Sequence, residues 1–486
     1  MNLVLLAPEI AVAVTAVTVI LLDLFIKRKG WLTLTSLTGI IIAILLAIWI
    51  LPEKNQMVGN GLLALDGLAI FFKLFVLGLV FMVILASVDY MRNLKNFHGE
   101  YHALILLAGL GMMLLVSAID IMAVFVSLEL VAISFYALTG LLKTDRSSEA
   151  ALKYVLLGGV NSAILLYGLA LVFGFTGHTG LADISRSLQE LPAASLAASP
   201  GLVFGLVLIL AGFGFKTAAV PFHMWAPDVY EGSPTPVTLY LSTASKLAGV
   251  AVLLRVLLTA FIQPAGLSQD WGIIIAAVSA AGMTLGNLLA VPQINIKRLL
   301  AYSGIAQTGY MLIAIASLGY TAAASSATQT GLLFYAGAFA LAELAVFSAV
   351  IAVSETIKSD HIQDYAGLGQ RTPLVAIALS VGLLSLMGLP LTAGFIAKYY
   401  VFSQAAGSGL LWLVVIGVIN TVISAYYYLN VMRVMWMGKA VDNTPVRVST
   451  GPKLVMALSV LAVLAAGVLP VWGLKLAEFG STLLLP

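Results

Sequence analysis

The sequence predicts an all-α integral membrane protein of about fourteen transmembrane helices, and three observations carry that prediction. Hydrophobic residues make up 61% of the 486 positions and charged residues only 9%, where a soluble globular chain has roughly 25% charged. Apolar stretches of about 20 residues, the length a helix needs to cross a hydrocarbon core of about 30 Å, recur from end to end. The basic residues between them segregate strongly by side.

Apolar runs set between polar breaks place spans near 3–26, 31–51, 66–89, 102–119, 121–142, 152–176, 201–225, 237–262, 271–291, 297–318, 328–353, 373–403, 409–433 and 454–477. If the chain crosses at each, sixteen lysines and arginines, from Lys27 to Lys453, collect in one set of loops, and Lys54 and Arg186 in the other. Dropping one helix would swap the sides of every later loop. Basic loops mark the cytoplasmic side, which puts both termini outside the cytoplasm. Met1 is followed by Asn-Leu-Val without a basic leader, so the first helix is expected to be retained.

Composition also excludes. With no cysteine, the chain holds neither a disulfide nor a cysteine-ligated iron-sulfur cluster, so the redox centres of any machine it serves lie elsewhere. A formal charge of +3 gives no footprint for nucleic acid. No GxGxxG, P-loop or HExxH pattern stands in the right context.

Between the sixth and seventh spans, Leu181, Ile184, Leu188 and Leu191 share one helical face, which predicts a short amphipathic helix at the membrane interface. It is either a surface for a neighbouring subunit or a connector. Two spans contain helix breakers at membrane depth. Pro221 cannot donate to the carbonyl of Thr217, nor Pro390 to that of Leu386, so each helix should have an opened turn, tolerated only under cover of protein or water. The breaks are five helices apart, and a five-helix unit, being odd in number, is inserted upside down relative to its copy, as in inverted repeats. The chain then divides into helices 1–3 (residues 1–101), a first repeat of helices 4–8 (102–262), a second of helices 9–13 (263–433), and a loop with the last helix (434–486).

Glu9, Asp23, Lys73, Arg255 and Lys475 lie near span ends, where snorkelling is expected. Glu129, Lys216, Lys246 and Lys398 lie deeper or beside broken backbone, at a cost of about 2.5–3.5 kcal/mol for a central Lys or Asp. Desolvation disfavours a lysine cation and a nearby carboxylate favours it, so a Lys216 partnered by Glu129 would release its proton toward Lys246 once the partner moved. The competing reading is a static ion pair, with Lys246 and Lys398 capping free carbonyls at the breaks. His223 relays protons or satisfies local carbonyls. Glu343 joins a proton path or bonds a neighbouring helix. Lys153 takes up protons or snorkels.

At these residues the chain resembles the antiporter-like membrane subunits of respiratory complex I, relatives of multi-subunit cation/proton antiporter subunits. The segments are SLELVAISFYALTG, FGFKTAAVPFHMWAPDVYEGSPTPVTLYLSTASKLAG, INIKRLLAYSGIAQTGYMLI and GLPLTAGFIAKYYVF. The tyrosine in PDVYEGSPTPV and the later YAGLGQRTP resemble the N-type members rather than the L or M types. The resemblance implies that the fifth-helix glutamate is Glu129, the broken-helix lysines Lys216 and Lys398, and the central lysine Lys246. It implies a proton half-channel from the cytoplasm, a central transfer and an exit near Lys398, driven by quinone reduction elsewhere. Glu343 stands at a usually uncharged position. No cofactor is expected in this chain, and flavin and iron-sulfur clusters in partner subunits. The implied surroundings are other membrane-arm subunits, the lipid bilayer of the cell inner (plasma) membrane, and protons and water as the transported species, with no nucleic acid. Two alternatives stay open: a sodium/proton antiporter subunit, sharing the lysine and glutamate machinery, and an organic-solute transporter, for which no recognising polar set is seen.

Overall fold

The computed structural model of the protein describes residues 3–93, 96–190, 200–440 and 446–482. Among them, thirteen helices are long and apolar enough to cross a membrane: Val4–Phe25, Gly30–Trp49, Gly67–Ala86, His98–Ser117, Ile121–Thr139, Asp145–Thr176, Pro200–Thr217, Thr235–Ala260, Ala265–Ala290, Ile296–Tyr320, Ser326–Ile357, Leu411–Met437 and Thr450–Val468. The fourteenth is the expected twelfth span, split into Pro373–Met387 and Ala393–Gly407. Polar residues set where several begin. Asp66, Asp120, Thr144, Asn295 and Ser325 each accept a hydrogen bond from a first-turn backbone N–H of the third, fifth, sixth, tenth and eleventh spans, groups that a helix cannot satisfy internally.

The eighth span is buried on all sides, and the tenth and eleventh nearly so. A helix that is apolar all round belongs in the interior of a bundle, and these three form the centre on which the others pack. The broken helix is the fourth of five in each half, Pro200–Gly232 in one and Pro373–Gly407 in the other.

Four features differ from the sequence reading. A two-stranded hairpin, Gln56–Val58 against Leu63–Leu65, interrupts an otherwise helical chain. Its turn holds Gly59, Asn60 and Gly61 at φ 65°, 58° and 86°, and the Asn-Gly pair was the available signal. The last span ends at Val468, and Val471–Gly480 is a separate short helix after Pro470. The amphipathic helix is present at Leu181–Glu190, but Leu181, Ile184 and Leu188 are fully buried against the chain's own eighth and sixth spans rather than against lipid; Leu191 lies outside the described residues.

The fourth difference concerns charge. Glu9 and Lys73 do not snorkel: they pair at 2.7 Å with side chains 4% and 3% exposed. Arg255 reaches Asp66 through two hydrogen bonds of 2.7 Å and donates a third to the carbonyl of Val116 at 2.9 Å, with neither partner of the pair exposed. The third span packs on the eighth and its Lys73 reaches Glu9 of the first, so each charge finds a partner nearer than water. Asp23 behaves as expected, meeting Lys29 at a partly exposed site.

A chain of buried charges between two opened helices

The two predicted breaks are the frame of the site. The seventh span stops at Thr217, with Ala218 in the left-handed region at φ 56°, and resumes at Trp225. The twelfth stops at Met387, with Gly388 at φ 90° and Leu391 at φ 74°, and resumes at Ala393. Left-handed alanine and leucine are costly conformations that persist only where the surroundings over-determine them. The two carbonyls freed by the prolines are both satisfied from the tenth span: Thr308 Oγ1 donates to Thr217 O at 2.9 Å and Gln307 Nε2 to Leu386 O at 2.8 Å. Trp225 Nε1 takes up Phe215 O at 3.0 Å.

Lys216, the penultimate residue of the first half-helix, is buried and its Nζ has no hydrogen-bond partner. It lies 5.7 Å from the centroid of the Phe135 ring, a distance at which an ammonium is attracted to the ring face. Glu129, on the same helix as Phe135, acts on Lys216 through space without a contact ion pair, because its carboxylate accepts a hydrogen bond from Ser162 instead. The expected partner is thus present but held aside.

Lys246 follows a widened π-turn over Leu241–Ser245, a local loosening often found at functional positions. Its Nζ is buried, unbonded and 5.7 Å from the Phe339 ring centroid. It presses against Gly304, where a Cβ would come within 2.7 Å of the nitrogen, so the glycine makes room for the ammonium. The carboxylate that acts on it is Glu343, one turn beyond Phe339, fully buried with neither oxygen hydrogen-bonded. Lys246 therefore does not cap a carbonyl. The side chain of Lys216 packs where a Cβ on Gly249 would lie, one turn from Lys246.

Lys398 does cap one: its Nζ donates to Met387 O at 3.0 Å and to Thr421 Oγ1 at 3.4 Å, 4.4 Å from the Tyr310 ring centroid. It sits in a cleft of about 400 Å3 lined mainly by apolar groups, among them Phe395, Tyr399 and Val418, which are exposed on the outside of the bundle. His223 falls half-buried in the opened turn of the seventh span.

At one end of the bundle the charges cluster. Lys153 Nζ binds Asp228 Oδ2 and Glu149 Oε1, each at 2.8 Å, and Arg298 Nη1 binds Asp228 Oδ1 at 2.6 Å and Glu231 Oε2 at 2.9 Å. Burial would raise the Asp228 carboxyl, but bonds from Lys153 and Arg298 outweigh it and hold the group below its ordinary value. The stabilisation this contributes is therefore present at neutral pH and is lost only as acid takes the pH down through that lowered value. Lys297, one of the sixteen basic residues that the span count assigns to the cytoplasmic loops, is buried; its Nζ donates to Ser233 O at 2.9 Å and lies 3.6 Å from Asp360. Two adjoining vestibules, of about 370 and 270 Å3, share Arg146, Glu231 and Gly232.

The sequence reading missed Ser162, Gln307, Thr308, Tyr310 and Thr421. A signal existed in the tenth span, whose run Ala-Tyr-Ser-Gly-Ile-Ala-Gln-Thr-Gly-Tyr is polar for a helix with no lipid-facing side. Among the described residues, no group of three or more His, Asp or Glu side chains converges as a metal site.

An all-helical bundle opened at two mid-membrane turns, with buried cations beside them, defines an antiporter-like membrane subunit. Residues 118–424 match the family described as NADH:quinone oxidoreductase/Mrp antiporter, transmembrane. A relative from Dehalococcoides mccartyi, NADH-quinone oxidoreductase subunit N, is 47% identical over 480 residues, covering 98% of this chain and 99% of the relative. A chain of respiratory complex I from Thermus thermophilus superposes with a TM-score of 0.80 at 32% identity, covering 97% of this chain and 99% of its own. A chain of the Mrp complex from Dietzia shares the fold, with a TM-score of 0.84 at 19% identity over 99% of this chain and 97% of that one. The chain belongs to the subunit N family of NADH-quinone oxidoreductases.

Proposed function

We propose that this chain is the proton-translocating membrane subunit of an NADH:quinone oxidoreductase, coupling quinone reduction elsewhere in the complex to proton transfer through its own buried lysines and glutamates. The observation that carries the reading is the row Lys216, Lys246 and Lys398: three cations buried in an apolar bundle without a contact carboxylate, beside an opened or widened turn in each case. Such groups are too expensive to keep for packing alone. Glu129, within electrostatic reach of Lys216 but tied to Ser162, is suited to a switch: its approach favours the ammonium, its withdrawal the free amine.

In this reading a proton enters from the cytoplasmic side at the vestibules around Lys153, Asp228 and Glu231, passes Lys216 and Lys246, and leaves near Lys398. The division into residues 1–101, two inverted five-helix repeats (102–262 and 263–433) and 434–486 accounts for the recurrence of a broken helix at the fourth position. Lys153, bound in its ion-pair cluster, and His223 belong to the entry region. Glu343 is an added protonatable group that sets the charge of Lys246. Flavin and iron-sulfur clusters belong to partner subunits, and this chain sits in the plasma membrane beside other membrane-arm subunits, with both termini on the non-cytoplasmic side.

Affinity purification of the tagged chain from its native membranes in mild detergent tests the assembly. Flavin and iron-sulfur subunits in the eluate are expected; recovery of antiporter subunits alone would move the reading to cation exchange. The role of Glu343 is tested by Glu343→Gln, which keeps the shape and removes the charge. Proton pumping is expected to slow by roughly threefold to tenfold, the scale of a hydrogen-bond or charge contact of this class, with the complex still assembled. Unchanged pumping across pH 6–9 would assign the residue to packing.

A further inference from the structure

The tenth span touches all three lysine sites within two turns. Gly304 lies against Lys246 Nζ. Thr308 donates its hydroxyl to Thr217 O at 2.9 Å, the carbonyl next to Lys216, and stands 3.1 Å from Gly304 O. A hydroxyl has one proton, so it serves one of these acceptors at a time: the break of the seventh span, or the backbone beside Lys246. Gln307, its neighbour in sequence, is fully engaged. Its Nε2 donates to Leu386 O at 2.8 Å and to Tyr428 OH at 3.5 Å, while its Oε1 accepts from Tyr335 OH at 2.5 Å. Leu386 O is the carbonyl that Pro390 leaves free, and Met387 O, the next one, is held by Lys398.

The two opened turns, one in each half of the chain, are thus capped by two consecutive side chains of one helix, and each capped carbonyl is next to the atoms that position a lysine. We propose that Thr308 and Gln307 form a positioning bridge that couples the two broken helices, so that the turn beside Lys216 and the turn beside Lys398 change state together rather than independently. Neither residue carries a proton across the membrane. Thr308 sets whether Thr217 O is capped, and Gln307, anchored by Tyr335 and Tyr428, transmits the helix position to Leu386 and so to the carbonyl that Lys398 holds. A buried carbonyl left without a donor is costly, which is why moving Thr308 would be felt at the break. The inference rests on the proton-handling reading of the three lysines.

The test uses the assembled complex in inverted membrane vesicles, with NADH-driven proton uptake measured per electron transferred. Thr308→Val, which keeps the shape and removes the donor, is expected to lower that ratio by roughly threefold to tenfold, the factor carried by one hydrogen bond of this class, and Thr308→Ser to restore it. Gln307→Leu should lower it likewise. If the two residues act as one device, the double variant is no worse than the poorer single, whereas independent sites would multiply their defects. A normal ratio in Thr308→Val beside a defective Lys216→Ala would overturn the bridge and leave the proton path standing; a normal ratio in Lys216→Ala too would overturn both. Failure of Thr308→Val and Gln307→Leu to accumulate, with Thr308→Ser normal, would also overturn the bridge, by making the two bonds purely architectural. Multiplied defects in the double variant would do the same.

Discussion

Replacing Lys216 by alanine is expected to reduce coupled proton translocation at least tenfold while the complex still assembles. A positioned proton-transfer group contributes on the order of 10²–10⁴ to the rate of the step it serves, and Lys216 has no second cation beside it to take over, Lys246 being a turn away on the next span. Assembly should survive, because Lys216 makes no hydrogen bond whose loss would leave a partner unsatisfied, and its departure relieves the cost of a buried cation. The Phe135 face it covers is apolar. Proton uptake into inverted vesicles, normalised to the amount of intact complex on a native gel, reads the effect. Full coupling in vesicles with normal assembly would remove Lys216 from the path.

The second large effect is opposite in kind. Asp66→Asn is expected to remove the chain from the membrane, not to slow it. The substitution strands Arg255, whose side chain is wholly buried, and breaking a buried pair from one side costs about 3–5 kcal/mol, a large share of the stability of a typical domain. Asp66 also caps the third span through Ala69 N–H at 2.8 Å, a bond that asparagine can still accept, so the expected loss is that of the ion pair. The combined change Asp66→Asn with Arg255→Met should recover most of the accumulation, since no buried charge is then left without its counter-charge. Immunoblots of membrane fractions and the melting temperature of the extracted complex distinguish the two. Normal amounts of Asp66→Asn would mean that water reaches Arg255.

These two cases also mark where sequence reading succeeds and fails. The buried placement of Lys216 at an opened turn was legible because the lysine stands five residues before Pro221, and both local features are visible in one segment. The opened turns at Thr217 and Leu386 followed from the missing N–H of a proline, and the span count followed from the segregation of basic residues. Arg255 and Asp66 were not legible, being 189 positions apart; nearness to a span end suggests water, and only the packing of the third span over the eighth replaces water with a carboxylate. The same holds for Glu9 with Lys73, and for Ser162, whose capture of Glu129 turns an expected ion pair into a separated one. Distances between spans are set by which helices become neighbours, and one sequence holds no record of that. The Thr308 and Gln307 bonds were half legible: the acceptors were predicted, the donors were not.

The complete enclosure of the eighth span has a bearing on biogenesis. A helix that carries Lys246 and Arg255 and presents no residue to lipid has little tendency to partition into the bilayer by itself, since each cation opposes insertion. Asp66 is already in place when Arg255 emerges from the ribosome, so one of the two charges is met at once. Glu343 arrives three spans later, and until then Lys246 waits without its carboxylate. Synthesis of this chain therefore runs through an interval in which its central helix has to be sheltered by earlier spans or by the insertion machinery, and closure of the bundle around it is completed only by the eleventh.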